Sequence, residues 1–157
     1  MSDTIVLDRI EFFVAGEPHP KGSTRGFYIK KLDRVVTTNA NKDTKTWEIR
    51  VAHEAQAAES KRDKAWSLSK EEAYDIGLEF YFQRPQSYPK KWRFEMTVTP
   101  DIDKLIRAVL DGLKNVLLFD DSQVISLSVI KEYAGEFVEG KPGVFVHIEK
   151  RARRSLR

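Results

Sequence analysis

The segment from Pro100 to Val124, P-D-I-D-K-L-I-R-A-V-L-D-G-L-K-N-V-L-L-F-D-D-S-Q-V, constrains this chain more than any other. Leu105, Ile106, Val109, Leu110, Leu113, Val116 and Leu117 recur at steps of three and four, which makes one apolar face of an α-helix. Asp103 is placed to cap it. Such a face has to be buried, and the next stretch offers a partner: from Val124 to Tyr133 the residues alternate with the period of a strand. Acidic pairs bracket the helix, Asp101-x-Asp103 before it and Asp120-Asp121 after it. The chain is therefore expected to lay an amphipathic helix on a sheet, with carboxylates at both of its ends.

The flanking sequence extends this picture. Ile10 to Val14 reads as a strand, broken by the loop Gly16-Glu-Pro-His-Pro-Lys-Gly22. Phe27 to Lys30 and Val35 to Thr38 flank Leu32-Asp33-Arg34 as a hairpin. From Asn41 or Asp43 a second helix is expected, with Trp47, Val51, Ala55 and Ala58 on one face. Residues 59 to 72 are polar and read as loop. Tyr74 to Phe82 alternates as a half-buried strand, and Pro85 to Pro100 is a long loop with room for a short strand at Glu95 to Val98. Gly135 to Gly143 turns the chain, and Val144 to Ile148 is expected to pair back as the final strand. The expected fold is α+β: a mixed β-sheet with hairpins and two main helices, in a single domain over residues 1–149, followed by a basic tail at 150–157.

Composition excludes several classes of function. The length of 157 residues fits one domain, and 41% hydrophobic residues can form a core. The absence of cysteine rules out disulfides, thiolate metal sites and a cysteine nucleophile. No apolar run approaches the roughly 20 residues of a membrane span, and no basic-then-apolar leader opens the chain. A cytoplasmic protein without a membrane partner or small-molecule cofactor is expected. The net charge of +3 is modest, but the basic residues are grouped. Lys21, Arg25, Lys30, Lys31 and Arg34 form one group. Lys90, Lys91 and Arg93 alternate with Tyr88 and Trp92 in another, and Lys150, Arg151, Arg153, Arg154 and Arg157 close the chain. Such groups suit a phosphate backbone as partner; solvated surface charge with a disordered basic tail is the plainer account of them.

The acidic pairs carry the chemistry. If the connection from Val116 to Phe119 lets the second pair fold back, three carboxylates meet. They would repel one another unless a cation joined them, and oxygen-only ligands select Mg²⁺ or Mn²⁺ over zinc. Arg107, one turn beyond Asp103, could meet a phosphate oxygen, with Asp111 a further turn along to orient it. Together these are the parts of metal-assisted phosphodiester hydrolysis. The same residues also allow plainer roles. Asp-x-Asp can be a cap and helix-dipole partner, Asp-Asp a turn, and Arg107–Asp111 a surface pair.

The arrangement P-D-I-D-K-L at 100–105, Asp111-Gly-Leu113, and F-D-D-S-Q-V at 119–124 resembles the signature of the RusA family of Holliday-junction resolvases. F-F-V-A-G-E-P-H-P-K-G at 12–22 is similar to that family's opening strand and Pro/Gly loop. The resemblance spans roughly residues 10 to 149 and is thin between 40 and 95. It implies an α+β homodimer that cleaves four-way DNA junctions by paired nicks in recombination and repair, using Mg²⁺ with Mn²⁺ as a possible substitute. Small resolvases of this family are often encoded by phages and prophages. Carried over by position, Asp101, Asp103 and Asp121 are the metal-binding and catalytic carboxylates. The family's catalytic lysine falls on Arg107, which can stabilise an anion but does not readily donate a proton. Lys104 offers an amine nearby, and Lys131 matches a lysine of the family's following strand. Lys21, Arg25, Lys104 and Lys131 are the expected DNA contacts. Alternatives are a less selective flap or fork nuclease and a catalytically impaired protein that binds branched DNA. The three carboxylates argue against the second, since a pure binder has no need of negative charge beside phosphate.

Overall fold

The computed structural model describes residues 5–22, 25–38, 42–89, 93–152 and 154. Among these residues six strands and two α-helices follow in the order β1 (Val6–Ala15), β2 (Arg25–Ile29), β3 (Arg34–Thr38), α1 (Lys42–Ser60), β4 (Ala73–Phe82), α2 (Ile102–Leu113), β5 (Val124–Tyr133) and β6 (Gly143–Arg151). Short 3₁₀ turns occupy Asp121–Gln123 and Glu136–Val138. The main sheet has the order β1-β6-β4-β5, while β2 and β3 form a separate two-stranded hairpin. With β4 and β5 parallel and the other pairs antiparallel, the sheet is mixed and the fold is α+β.

The expected pairing of the last strand with its predecessor does not occur. β6 inserts between β1 and β4, and β5 lies parallel to β4 at the edge. A helix between two strands makes a crossover long enough for parallel pairing, and β4–α2–β5 uses α2 in that way. The choice of central strand follows composition. Val144, Val146 and Ile148 of β6 are fully buried, whereas β5 carries Ser126 and Ser128 and exposes Ile125 and Leu127. Among the described residues the only hairpin of adjacent strands is β2–β3.

α2 begins earlier than the apolar pattern alone suggests. Its N-cap position is Asp101, not Asp103, because the Leu105 amide already donates to the Asp101 carbonyl at 3.2 Å. Its regular part ends at Leu113. Lys114 is extended, and the amides of Val116, Leu117 and Leu118 return to the Leu113 carbonyl, so Leu117 stays buried within a turn. α1 crosses α2 at Gly112, where an added Cβ would lie 2.8 Å from both the Glu48 carbonyl oxygen and Val51 Cβ. Only glycine permits this approach.

The core joins Val14 of β1, Trp47, Val51 and Ala55 of α1, Tyr74 to Phe80 of β4, Leu105 to Leu113 of α2 and the apolar face of β6. The polar 61–72 segment is fastened to it. The Trp66 indole donates to the Leu117 carbonyl, and Arg62 pairs with Asp8 at 2.6 Å. Lys150 and Arg151, expected in a basic tail, are the last residues of β6. Lys150 is buried and donates to Ser67, and Arg151 pairs with Asp75. Among the described residues no helix is long and apolar enough to cross a membrane.

Candidate functional site

The start of α2 gathers several of the expected residues. Asp101 takes the extended N-cap conformation, but its carboxylate makes no capping hydrogen bond and stands 3.6 Å from the Lys104 ammonium. The fold therefore does not use Asp101 as a side-chain cap. Two open grooves meet at this residue. One is lined by Glu17, His19, Pro20, Met96 and Lys104, the other by Asp103, Glu95, Met96, Ile130 and Lys131. The Pro/Gly loop forms one wall of this cleft because the Lys21 amide donates to the Lys104 carbonyl at 2.9 Å. The opposite wall is braced by Lys131. Its ammonium donates to the carbonyls of Val98 (2.6 Å) and Pro100 (2.8 Å), which fixes the chain leading into Asp101. Lys131, expected to meet DNA, directs these hydrogen bonds to the loop instead.

Asp121 lies at the other end of the helix. It opens the 3₁₀ turn whose N-cap is Asp120, and a capping box joins Asp120 to Gln123. Asp120 accepts from the amide and hydroxyl of Ser122 and from Lys114 at 3.0 Å, and these bonds hold its carboxyl down at about 2. Gln123 is the pin of this corner. Its amide oxygen accepts from the backbone of Phe119 (3.1 Å) and Asp120 (2.9 Å), and its amide nitrogen donates to the carbonyls of Ser69 (2.7 Å) and Glu72 (3.1 Å). Asp121 itself has a buried Oδ1 with no hydrogen-bond partner. Burial pushes its pKa up, the neighbouring Asp111 and Asp120 add to the rise, and Lys114 opposes it.

The three carboxylates expected at one metal site are thus not brought together within one chain. Asp121 senses Asp111 and Lys114, on the C-terminal half of α2 and just beyond it, while Asp101 and Asp103 sit at the N-terminus. At 1.5 Å per residue, Asp103 and Asp111 are separated by about 12 Å along the axis. Among the described residues no three His, Cys, Asp or Glu side chains are grouped to hold a metal ion. The physical reason is topological: a helix followed by a reversing strand keeps its two ends apart.

The basic residues divide in the same way. Arg107 is exposed and makes no ion pair among the described residues, so the expected Arg107–Asp111 pair is absent. Asp111 instead binds Lys21 at 2.7 Å, and Lys21 also binds Glu48 at 2.8 Å. Glu48 is nearly buried on α1, so the ammonium that satisfies it is held inward, and the hydrogen bonds it donates to Asp111 and Glu48 raise its pKa. Lys104 remains half-exposed at the cleft. Arg25 begins β2, and its side chain lies outside the described residues. The positions of Lys90, Lys91, Trp92, Arg153 and Arg157 lie outside them too. Sequence reasoning missed Glu48, Gln123 and His19 as parts of the site's framework. A glutamate inside the Trp47–Val51 face of α1 was the available sign for the first.

The site therefore sits in a mixed α+β domain whose crossover helix carries exposed acidic residues beside an open cleft. The family model described as "Endodeoxyribonuclease RusA" matches residues 16–149. The chain belongs to this family of endodeoxyribonucleases. No curated protein matches it.

Proposed function

We propose that this protein is a divalent-metal-dependent endonuclease that resolves four-way DNA junctions, and that it works as a homodimer whose second copy completes each active site. The observation that carries this reading is the Asp121 Oδ1, buried and without a partner. A desolvated carboxylate oxygen is costly unless a cation compensates it. Together with Asp101 and Asp103 it makes an all-oxygen donor set, which suits Mg²⁺, with Mn²⁺ as substitute.

A second copy is the source of the missing partner. Among the described residues the outer edge of β5 is paired only at its end, where the Tyr133 amide donates to the Phe94 carbonyl and the Met96 amide to the Lys131 carbonyl. From Val124 to Ile130 that edge has no strand beside it among the described residues, and Ile125 (58% exposed) and Leu127 (40% exposed) are uncovered there. An uncovered apolar edge invites pairing with another strand. Antiparallel pairing of two β5 edges about a two-fold axis near Leu127 sets residues before Val124 of one chain against residues after Ile130 of the other. Asp121 then approaches the groove that holds Asp103 and Lys131. A bound Mg²⁺ would polarise the scissile phosphate and supply a water nucleophile at neutral pH. Arg107, fully charged and without an ion-pair partner among the described residues, stabilises the developing negative charge, and Lys104 draws the phosphate to the cleft.

The test is nicking of a four-way junction with a mobile core, with Mg²⁺ and with EDTA, beside flap, fork and duplex substrates. Paired, symmetric, metal-dependent nicks confined to the junction support the reading. Equal cutting of flaps or forks selects the less discriminating nuclease, and tight binding without metal-dependent nicking selects a binding protein.

A further inference from the structure

We propose that the β2–β3 hairpin is a wedge whose tip enters the branch point of the DNA, with Leu32 as the inserted residue and Lys30, Lys31 and Arg34 gripping the phosphates around it. The proposal rests on the branched-DNA reading above and adds to it a discriminating surface away from the carboxylates.

The hairpin stands apart from the main sheet: β2 and β3 pair only with one another, in a register that sets Ile29 against Arg34. The chain between them, from Lys30 to Asp33, is the tip. Its shape is fixed from inside. Asp33 turns the chain in the left-handed region at φ 42°, and its carboxylate accepts a hydrogen bond from the Tyr28 hydroxyl at 2.6 Å. The acidic residue of the tip is thereby held against the strand, while Lys30, Lys31 and Arg34 are all exposed. Leu32 is 54% exposed in the middle of these cations. A large apolar side chain at the apex of a basic turn gains nothing from water. Apolar wedges flanked by basic residues are a recurrent way for proteins to part stacked bases, and a branch point is where unstacking costs least.

The root of the hairpin is also well placed. Lys21 is fastened to the first turn of α2, and Arg25 follows four residues later, within about 14 Å along an extended chain. A five-residue arm adds about 17 Å of reach. DNA whose scissile strand lies in the cleft is therefore within range of the tip.

The test uses the full chain and an immobile four-way junction carrying 2-aminopurine at the branch point, without divalent metal, so that nothing is cut. Wild-type binding should raise the 2-aminopurine fluorescence. Leu32→Ser should abolish most of that rise and reduce the preference for junction over duplex, with duplex affinity unchanged. Replacing Lys30, Lys31 and Arg34 together by alanine should weaken junction and duplex alike. It should also flatten the dependence of log K on log salt by up to about 0.9 for each phosphate no longer neutralised. Unchanged melting temperatures and dimer mass will show that neither variant acts through folding or assembly. Equal fluorescence and equal preference in Leu32→Ser and wild type would overturn the proposal while leaving the nuclease reading intact. Loss of dimer in these variants would also overturn it, by making the tip an interface between copies. A wild type without preference for the junction would remove the functional reading itself.

Discussion

Lys21 and Asp111 are joined by an ion pair of 2.7 Å, and the same ammonium reaches Glu48 at 2.8 Å, so one side chain ties the Pro/Gly loop to both helices. This makes Lys21 a strut first. Lys21→Ala should destabilise the fold by about 1–3 kcal/mol, because the nearly buried Glu48 loses its partner. Its pKa is raised in the folded chain. The stabilisation is then complete below the ordinary lysine value and is lost as pH rises through the raised one. Thermal melts of wild type and Lys21→Ala should differ at neutral pH and converge in strong alkali. A constant difference across that range would contradict the assignment.

Gln123 should control the Asp120–Asp121 corner. Gln123→Ala leaves the amides of Phe119 and Asp120 and the carbonyls of Ser69 and Glu72 without their partner, a loss of about 1–3 kcal/mol. Hydrogen exchange should quicken at residues 119 and 120, with α1 unaffected, and Mn²⁺ affinity should fall. Unaltered exchange at that corner would refute the role.

Gly112→Ala should be among the most damaging small substitutions. The new methyl group meets backbone and Val51 at 2.8 Å, and separating α1 from α2 to admit it costs about 1–3 kcal/mol. A melting temperature equal to wild type would show that the helices can part freely.

Much of the fold is legible in the sequence because its elements are periodic. The apolar steps of α2, the alternation in β4 and β5 and the Leu32-Asp33-Arg34 turn each follow from local geometry. What is not legible depends on partners distant in sequence. Whether Val144–Ile148 pairs with β5 or inserts between β1 and β4 is decided by which strands need burial on both sides. Lys21 resembles a phosphate ligand because nothing nearby in sequence announces Glu48 and Asp111. Asp101, Asp103 and Asp121 can be named as carboxylates from their motifs, but a single chain holds Asp121 with Asp111 and Lys114, away from the other two.

Asp101→Asn, Asp103→Asn and Asp121→Asn should each abolish nicking while leaving junction affinity equal or slightly higher, since each removes a negative charge facing phosphate. Gel-shift affinities and nicking rates on the same preparations check this. Near wild-type nicking by Asp103→Asn would count against the mechanism.

The most direct measurement mixes two inactive chains. If each site takes Asp101 and Asp103 from one copy and Asp121 from the other, a dimer of Asp103→Asn with Asp121→Asn concentrates both lesions in one site and leaves the second site intact. The account predicts that co-refolding the two variants restores single-strand nicking of the junction in the mixed dimers, together with one Mn²⁺ site per mixed dimer by calorimetry. Mixed dimers that form but neither nick nor bind Mn²⁺ would contradict it, because that is the result when all three carboxylates must come from the same chain.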